Sequence, residues 1–143
     1  MAAAEICRKL LRWYARRRRD LPWRRDRDPY RVWIAEVMLQ QTRVAAVIPY
    51  YSKFLNLFPT AADLARARPQ KVLRAWAGLG YYARARNLHG AARRILAAGH
   101  FPSSYEEWLA LPGVGKYTAA AISSIMLGEA RAVVDGNVMG CRL

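Results

Sequence analysis

Acidic residues are scarce in this sequence: 10 Asp and Glu stand against 24 Lys and Arg, for a formal net charge of +14 over 143 residues. Such an imbalance disfavours cationic partners and points to a polyanion. Arginine supplies most of the excess. Its planar fork meets a phosphate at two points, so nucleic acid leads, with ribosomal-type RNA and an acidic membrane surface as charge-only alternatives. Cysteine is almost missing. Cys7 and Cys141 stand at opposite ends of the chain, which gives no disulfide framework and no metal-ligand cluster. A reducing, cytoplasmic compartment is expected. No apolar run approaches the roughly 20 residues that span a bilayer. Met1-Ala-Ala-Ala leads straight into charged residues, so neither a signal peptide nor a membrane partner is expected. Strand alternation is absent as well.

What remains is 54% hydrophobic, enough to bury a sizeable core in one domain or in part of a larger one. The apolar spacing predicts short helices. Ala2 to Ala15 carries Ile6, Leu10, Trp13 and Tyr14 on one stripe. The following Arg16 to Arg19 run reads as a solvated charged face. Asp20 to Trp23 breaks that helix. Further helices are expected from Tyr30 to Gln41, Val44 to Phe58 with Pro49 inside, Ala61 to Arg66 capped by Thr60, Pro69 to Trp76, and Tyr81 to Ala98. Gly99 and Pro102 close the last of these. A helix capped at Ser103 or Ser104 should run to Leu111, and another from Lys116 or Tyr117 to Gly128. The fold class is all-α.

Several stretches carry candidate chemistry. Leu111-Pro-Gly-Val-Gly115 reads either as a glycine-capped link between core helices or as a turn whose open amides bind an anion at a helix N-terminus. Glu36 sits among apolar neighbours. It is a surface or arginine-paired glutamate, or a desolvated acid suited to proton donation. Asp135 lies in an Asp-Gly sequence, which is a common turn; alternatively it faces developing positive charge at the mouth of a groove. Gln40-Gln41 and Tyr81-Tyr82 are helix-end packing residues or probes of a base stack. Arg84 and Arg86 offer cations beside the tyrosines for a phosphate groove. His89 reads as a packing or helix-surface residue rather than a ligand.

These stretches together resemble one family. Leu111-Pro-Gly-Val-Gly115 with Thr118-Ala119 is similar to the helix-hairpin-helix of the DNA glycosylase superfamily that includes endonuclease III. Glu36-Val-Met-Leu-Gln-Gln-Thr42, Gly78-Leu-Gly-Tyr-Tyr-Ala-Arg-Ala-Arg-Asn-Leu-His89 and Val134-Asp-Gly-Asn-Val138 resemble its adenine DNA glycosylase branch. The resemblance runs from about Leu10 to Met139. It implies a six-helix barrel with its hairpin at 111–122 over residues 21–130, and a catalytic loop and tail over 131–143. Residues 1–20 would be a helix of a second, iron-sulfur module. It further implies excision of adenine opposite 8-oxoguanine or guanine in double-stranded DNA by base flipping, by a DNA-associated, cytoplasmic, bacterial monomer. By motif position, Glu36 would protonate the adenine, Asp135 would stabilise the sugar cation, and Asn137 would orient that carboxylate. Tyr117 would assist at the sugar. Leu21, Trp23, Arg24, Leu39 and Val44 would line the base pocket, with Gln41 and Tyr81 beside the lesion. Gly113, Val114, Gly115, Lys116 and Thr118 would hold the DNA backbone, and the hairpin would have room for a monovalent cation.

The match has limits. The family continues past Asn137 with Val-x-Arg-Val-x-x-Arg, whereas Val138 here is followed by Met139-Gly-Cys-Arg-Leu143. The four cysteines that hold the family's 4Fe-4S cluster have no counterparts, so no cofactor is expected on this chain. A fragment is therefore expected, with Ile6, Leu10, Trp13 and Tyr14 short of partners. Two other functions stay open: a helix-hairpin-helix DNA-binding module without turnover, and an endonuclease III-like lyase. The lyase's Schiff-base lysine falls at Tyr117 here, with Lys116 one residue early, and one residue turns a helical side chain by about 100°. Borohydride treatment on an abasic duplex should therefore capture no covalent protein–DNA adduct. A trapped adduct lost in a Lys116→Ala chain would restore the lyase.

Overall fold

The computed structural model describes residues 2–25 and 27–128. Asp135 and Asn137, like the 131–143 loop and tail, lie outside the described residues. Eight α-helices follow in order among those described: α1 (Ala3–Arg17), α2 (Pro29–Leu39), α3 (Val44–Leu57), α4 (Ala61–Arg66), α5 (Pro69–Trp76), α6 (Ala83–Ala98), α7 (Tyr105–Leu109) and α8 (Lys116–Leu127). A single 3-10 turn, Pro22–Arg24, lies between α1 and α2. The described residues contain no strand, in keeping with the all-α expectation.

Local chemistry sets most of the boundaries. Pro29 opens α2, and the Asp28 carboxylate accepts from the Arg31 amide at 3.1 Å, a side-chain cap. Thr60 and Asp63 form a reciprocal capping box on α4, with Asp63 N–H to Thr60 Oγ1 at 3.1 Å and Thr60 N–H to Asp63 Oδ2 at 3.2 Å. Ser104 rather than Ser103 caps α7. Gly99 ends α6 in a left-handed conformation. Pro49 sits inside α3, which nevertheless begins at Val44.

Several boundaries differ from the sequence expectation, α1 running past Ala15 to Arg17 and α3 stopping one residue short of Phe58. Helix α2 stops at Leu39, not Gln41; α6 begins at Ala83, not Tyr81; and α7 stops at Leu109, not Leu111. At the α2 and α6 boundaries, a residue with positive φ breaks the helix: Gln41 at 55° and Tyr81 at 51°. A tertiary contact, described below, holds both.

The core forms around α2, which packs on α3, α6 and α8, while α4 and α5 cover α6. Trp33, Trp76, Trp108 and Phe54 are fully enclosed. Their rings meet edge-on or tilted, with Phe54 to Trp76 at 5.9 Å and Trp33 to Trp108 at 6.1 Å between centroids, favourable aromatic geometry. The Tyr30 hydroxyl crosses this core to donate to the Phe58 carbonyl at 2.7 Å. His89 is buried, as a packing histidine should be. Burial first, and Arg93 second, hold its pKa below the usual histidine range against the Ala65 and Ala67 backbone. Helix α1 buries no residue. Ile6, Leu10, Trp13 and Tyr14, expected to lack partners, are all exposed.

The α7–α8 hairpin turns at Gly113, whose φ is +77°. A Cβ built there would stand 2.8 Å from the Asn87 Cβ, an atom fixed to the α6 backbone. The position therefore asks for glycine twice, through its dihedral and through the close approach of α6. Gly113→Ala should lower unfolding free energy by about 1–3 kcal/mol, read as an earlier urea midpoint. An unchanged midpoint would mean that the turn relaxes freely.

Candidate functional site

A groove of about 1340 Å³ opens between the 3-10 turn, α2 and the hairpin, and Tyr14 of α1 and Arg18 just after it also line it. Its wall carries Arg18, Arg24, Arg27, Arg43 and Lys116, and Glu36 is the one acid among its lining residues. Five cations converging on one concave surface form a site for a polyanion.

Glu36 lies on α2 with Ala35 and Val37 buried on either side. It is half-buried, with no hydrogen bond or ion pair to the described residues. Burial raises its pKa above the ordinary glutamate range, and Arg24 acts in the opposite direction without reversing it. The desolvated-acid reading is the one this geometry supports, because a carboxyl stripped of water and without a direct partner retains its proton to higher pH. Arg24 does not form an ion pair with it within contact distance. Its guanidinium donates to the Arg19 carbonyl at 3.2 Å and lies over the Tyr14 ring at 5.6 Å.

The hairpin forms the opposite wall. Gly113, Gly115, Lys116, Tyr117 and Thr118 line it. Helix α8 makes its first backbone bond from Ala119 N–H to the Gly115 carbonyl at 2.9 Å. The Gly115 and Lys116 amides thus have no intrahelical acceptor and sit at the positive end of the helix dipole. Val114 departs from its expected role: its side chain is buried and its amide donates to Leu111 O at 3.2 Å. Thr118 is buried too, and its hydroxyl accepts from Gln40 Nε2 at 2.9 Å. Its side chain braces the hairpin instead of facing a backbone.

Of the proposed pocket residues, Trp23, Arg24, Leu39 and Gln41 line the groove, whereas Leu21 and Val44 do not. Leu21 is buried in the core, and Val44 is packed against it. Tyr81 stands outside the groove wall on the loop before α6, 62% exposed. Gln40, read as a possible stack probe, turns inward to the hairpin, with Gly113 O at 3.4 Å in addition to Thr118.

Arg84 is the clearest correction. Offered as a phosphate cation, it is buried. Its guanidinium donates to the Val37, Met38 and Gln40 carbonyls at 3.2, 2.8 and 2.6 Å, and to Gly80 O at 3.1 Å. It caps the end of α2. Arg86 remains exposed. The sequence reading also passed over Arg27 and Arg43, which line the groove. Their isolation from any motif left no signal beyond charge.

A four-cysteine cluster needs four thiolates. The sequence has two cysteines, Cys7 is exposed and unpaired, and Cys141 lies outside the described residues, so this chain does not fit the cluster. No group of three His, Cys, Asp or Glu suited to a metal occurs among the described residues. No helix among them is long and apolar enough to cross a membrane.

An all-helical core with a glycine-turned hairpin facing a basic groove fits the class of helix-hairpin-helix DNA-repair glycosylase folds. The chain belongs to the HhH-GPD superfamily of base excision DNA repair proteins, whose pattern it matches over residues 34–141. It is 51% identical over 140 residues to the adenine DNA glycosylase of Homo sapiens, covering 90% of this chain and 26% of that protein. A thermostable thymine-DNA glycosylase superposes with a TM-score of 0.82 at 33% identity, over 95% of this chain and 66% of that one. Endonuclease III in a non-covalent DNA complex superposes at 0.76 and 25% identity, over 96% and 66%. The chain spans between 25% and 38% of the length of the curated relatives it matches.

The Glu36 environment sets a pH signature. An acid whose folded pKa is raised contributes stability that is complete below its unfolded pKa and is lost as pH rises through the folded value. Glu36→Gln removes the buried charge but keeps the shape. Its melting temperature should therefore exceed that of the wild type at about pH 8 and converge with it near about pH 4. A constant offset across that range would place Glu36 in water.

Proposed function

We propose that this chain is the groove-bearing part of a DNA glycosylase that removes adenine paired with 8-oxoguanine or guanine. The reaction is flipping followed by hydrolysis of the N-glycosidic bond. The observation that carries this reading is Glu36: a half-buried carboxyl with no direct partner among the described residues, and the one acid among the described residues that line a wall of cations. The cations would track the duplex backbone, and the Gly115 and Lys116 amides would receive a phosphate at the α8 N-terminus. A stacked adenine is out of reach, so the base must swing into the groove beside Trp23 and Leu39.

The chemistry then follows from charge. Glu36 donates its proton to adenine N7, and the base leaves neutral, taking the electron pair of the C1′–N9 bond. The sugar is left as an oxocarbenium-like cation. By motif position Asp135 would stabilise that cation and Asn137 would orient its carboxylate, and Tyr117 lines the hairpin wall of the groove. Water adds at C1′ and gives up a proton, which returns the Glu36 carboxylate to its acid form. No step passes through a metal, a cluster or a hairpin-bound cation. Residues 1–20 are assigned to a second module, since the exposed stripe of α1 requires a cover that the barrel does not provide. The functional unit is a monomer on double-stranded DNA.

Single-turnover assay of this chain, in excess over a duplex with adenine opposite 8-oxoguanine, should yield alkali-labile abasic sites. Glu36→Gln should slow excision by at least about 100-fold while binding persists. The wild-type rate should fall as pH rises through the raised pKa of Glu36. Tight binding without any excision by the wild type would sink the catalytic reading for this chain and leave a DNA-binding module.

A further inference from the structure

Gln41 and Tyr81 are the two non-glycine residues with positive φ among the described residues, at 55° and 51°. Each directly follows a residue whose carbonyl is held by the same guanidinium. Arg84 Nη1 takes Gln40 O at 2.6 Å, and Nη2 takes Gly80 O at 3.1 Å. The two strained positions lie 40 residues apart in sequence and meet on one buried cation. Both side chains are exposed.

We infer that Arg84 is a positioning residue that clamps Gln41 and Tyr81 as a paired wedge for opening the duplex. This rests on the glycosylase reading of the groove. A left-handed conformation is unfavourable for any residue with a Cβ and persists only when the surroundings over-determine it. Here they do. Arg84 lies 5.3 Å from the Trp76 ring centroid and 5.5 Å from that of Tyr81, and Trp76 Nε1 donates to the same Gly80 carbonyl at 3.0 Å. The Arg84 amide also takes Tyr81 O at 2.9 Å. Releasing the guanidinium would strand buried carbonyls, so neither loop relaxes alone. A wedge that is rigid before it meets DNA spends no ordering entropy on insertion, which is the use of pre-organisation. Lysine cannot substitute, because one ammonium lacks the planar fork that reaches two loops.

The test uses 2-aminopurine in place of adenine, in a paired duplex and in one where it faces an abasic site. Stopped-flow fluorescence reads unstacking, and anisotropy reads affinity. Arg84→Lys should bind both duplexes within about threefold of the wild type. It should lose about tenfold of the flipping signal on the paired duplex, the loss expected when a pre-organised state becomes a minor one. On the pre-opened duplex the signal should match the wild type, which a merely structural defect would not allow. An undiminished paired-duplex signal, or equal loss on both duplexes, overturns the inference. Gln41→Ala and Tyr81→Ala flipping as well as the wild type would likewise overturn the inference, whereas the glycosylase reading fails separately if wild-type protein flips neither duplex.

Strain is measured without DNA. Gln41→Gly should raise the melting temperature in the Arg84 background and leave it unchanged in the Arg84→Lys background. Equal shifts in both would remove the clamp. Should Arg84→Lys not fold, Trp76→Phe keeps a buried ring and removes one of the two donors to the Gly80 carbonyl, leaving the guanidinium as the other. It should then lower paired-duplex flipping about twofold, and an unchanged signal would count against the clamp.

Discussion

The end of helix α2 points its last carbonyls into the protein, where water cannot reach them, and Arg84 is what satisfies them. Helix termini always leave such groups, and a buried one without a partner is costly. A cation there also meets the negative end of the helix dipole. Much of the site depends on this cap. It fixes where α2 stops, and so where Gln40 turns inward to Thr118 and Gly113. It thereby ties the helix that carries Glu36 to the hairpin that forms the opposite wall. The two sides of the groove hold their spacing through a polar strut of Arg84, Gln40 and Thr118, because apolar packing alone lacks direction.

The groove also resolves an electrostatic conflict. Its arginines and lysine attract phosphate, yet the same cations favour the ionised form of Glu36. Burial outweighs Arg24 in setting the direction of the Glu36 shift. The cations can remain without ionising the acid because Glu36 is set back among Ala35, Val37 and Leu39, while Arg24 is engaged by Arg19 O and Tyr14. Bound phosphates would neutralise the cations and so further favour the protonated acid. Substrate capture and proton retention thus act in the same direction.

Local signals in the sequence account for most helix boundaries. The Thr60–Asp63 box, Pro29, Pro69 and Gly99 act within a few residues of themselves, so their effects were legible without a fold. Glu36 was legible as a candidate because Val32, Trp33, Ala35, Val37 and Leu39 around it are apolar. Arg84 was not. In sequence it stands with Arg86 beside two tyrosines, which is also how a phosphate cation looks, and only its enclosure shows otherwise. The burial of the Thr118 and Val114 side chains was hidden for a related reason: the hairpin motif marks residues near a ligand without saying whether side chain or amide faces it.

The sequence by itself determined an all-helical chain, strongly basic, with a glycine-turned hairpin and an acid in an apolar stretch. Those properties follow from residue type and short-range spacing, through caps, breakers, periodicity and net charge. Tertiary structure alone decided that Gln41 and Tyr81 take left-handed conformations, that α2 ends at Leu39, and that one arginine is a buried cap while its neighbour Arg86 stays in water. The end of α2 and the Gln41 conformation depend on Arg84, more than 40 residues away, and Arg84 is itself buried only because α2 lies there to receive it. Whether a guanidinium binds phosphate or carbonyl is settled by burial, and burial is a property of the assembled fold.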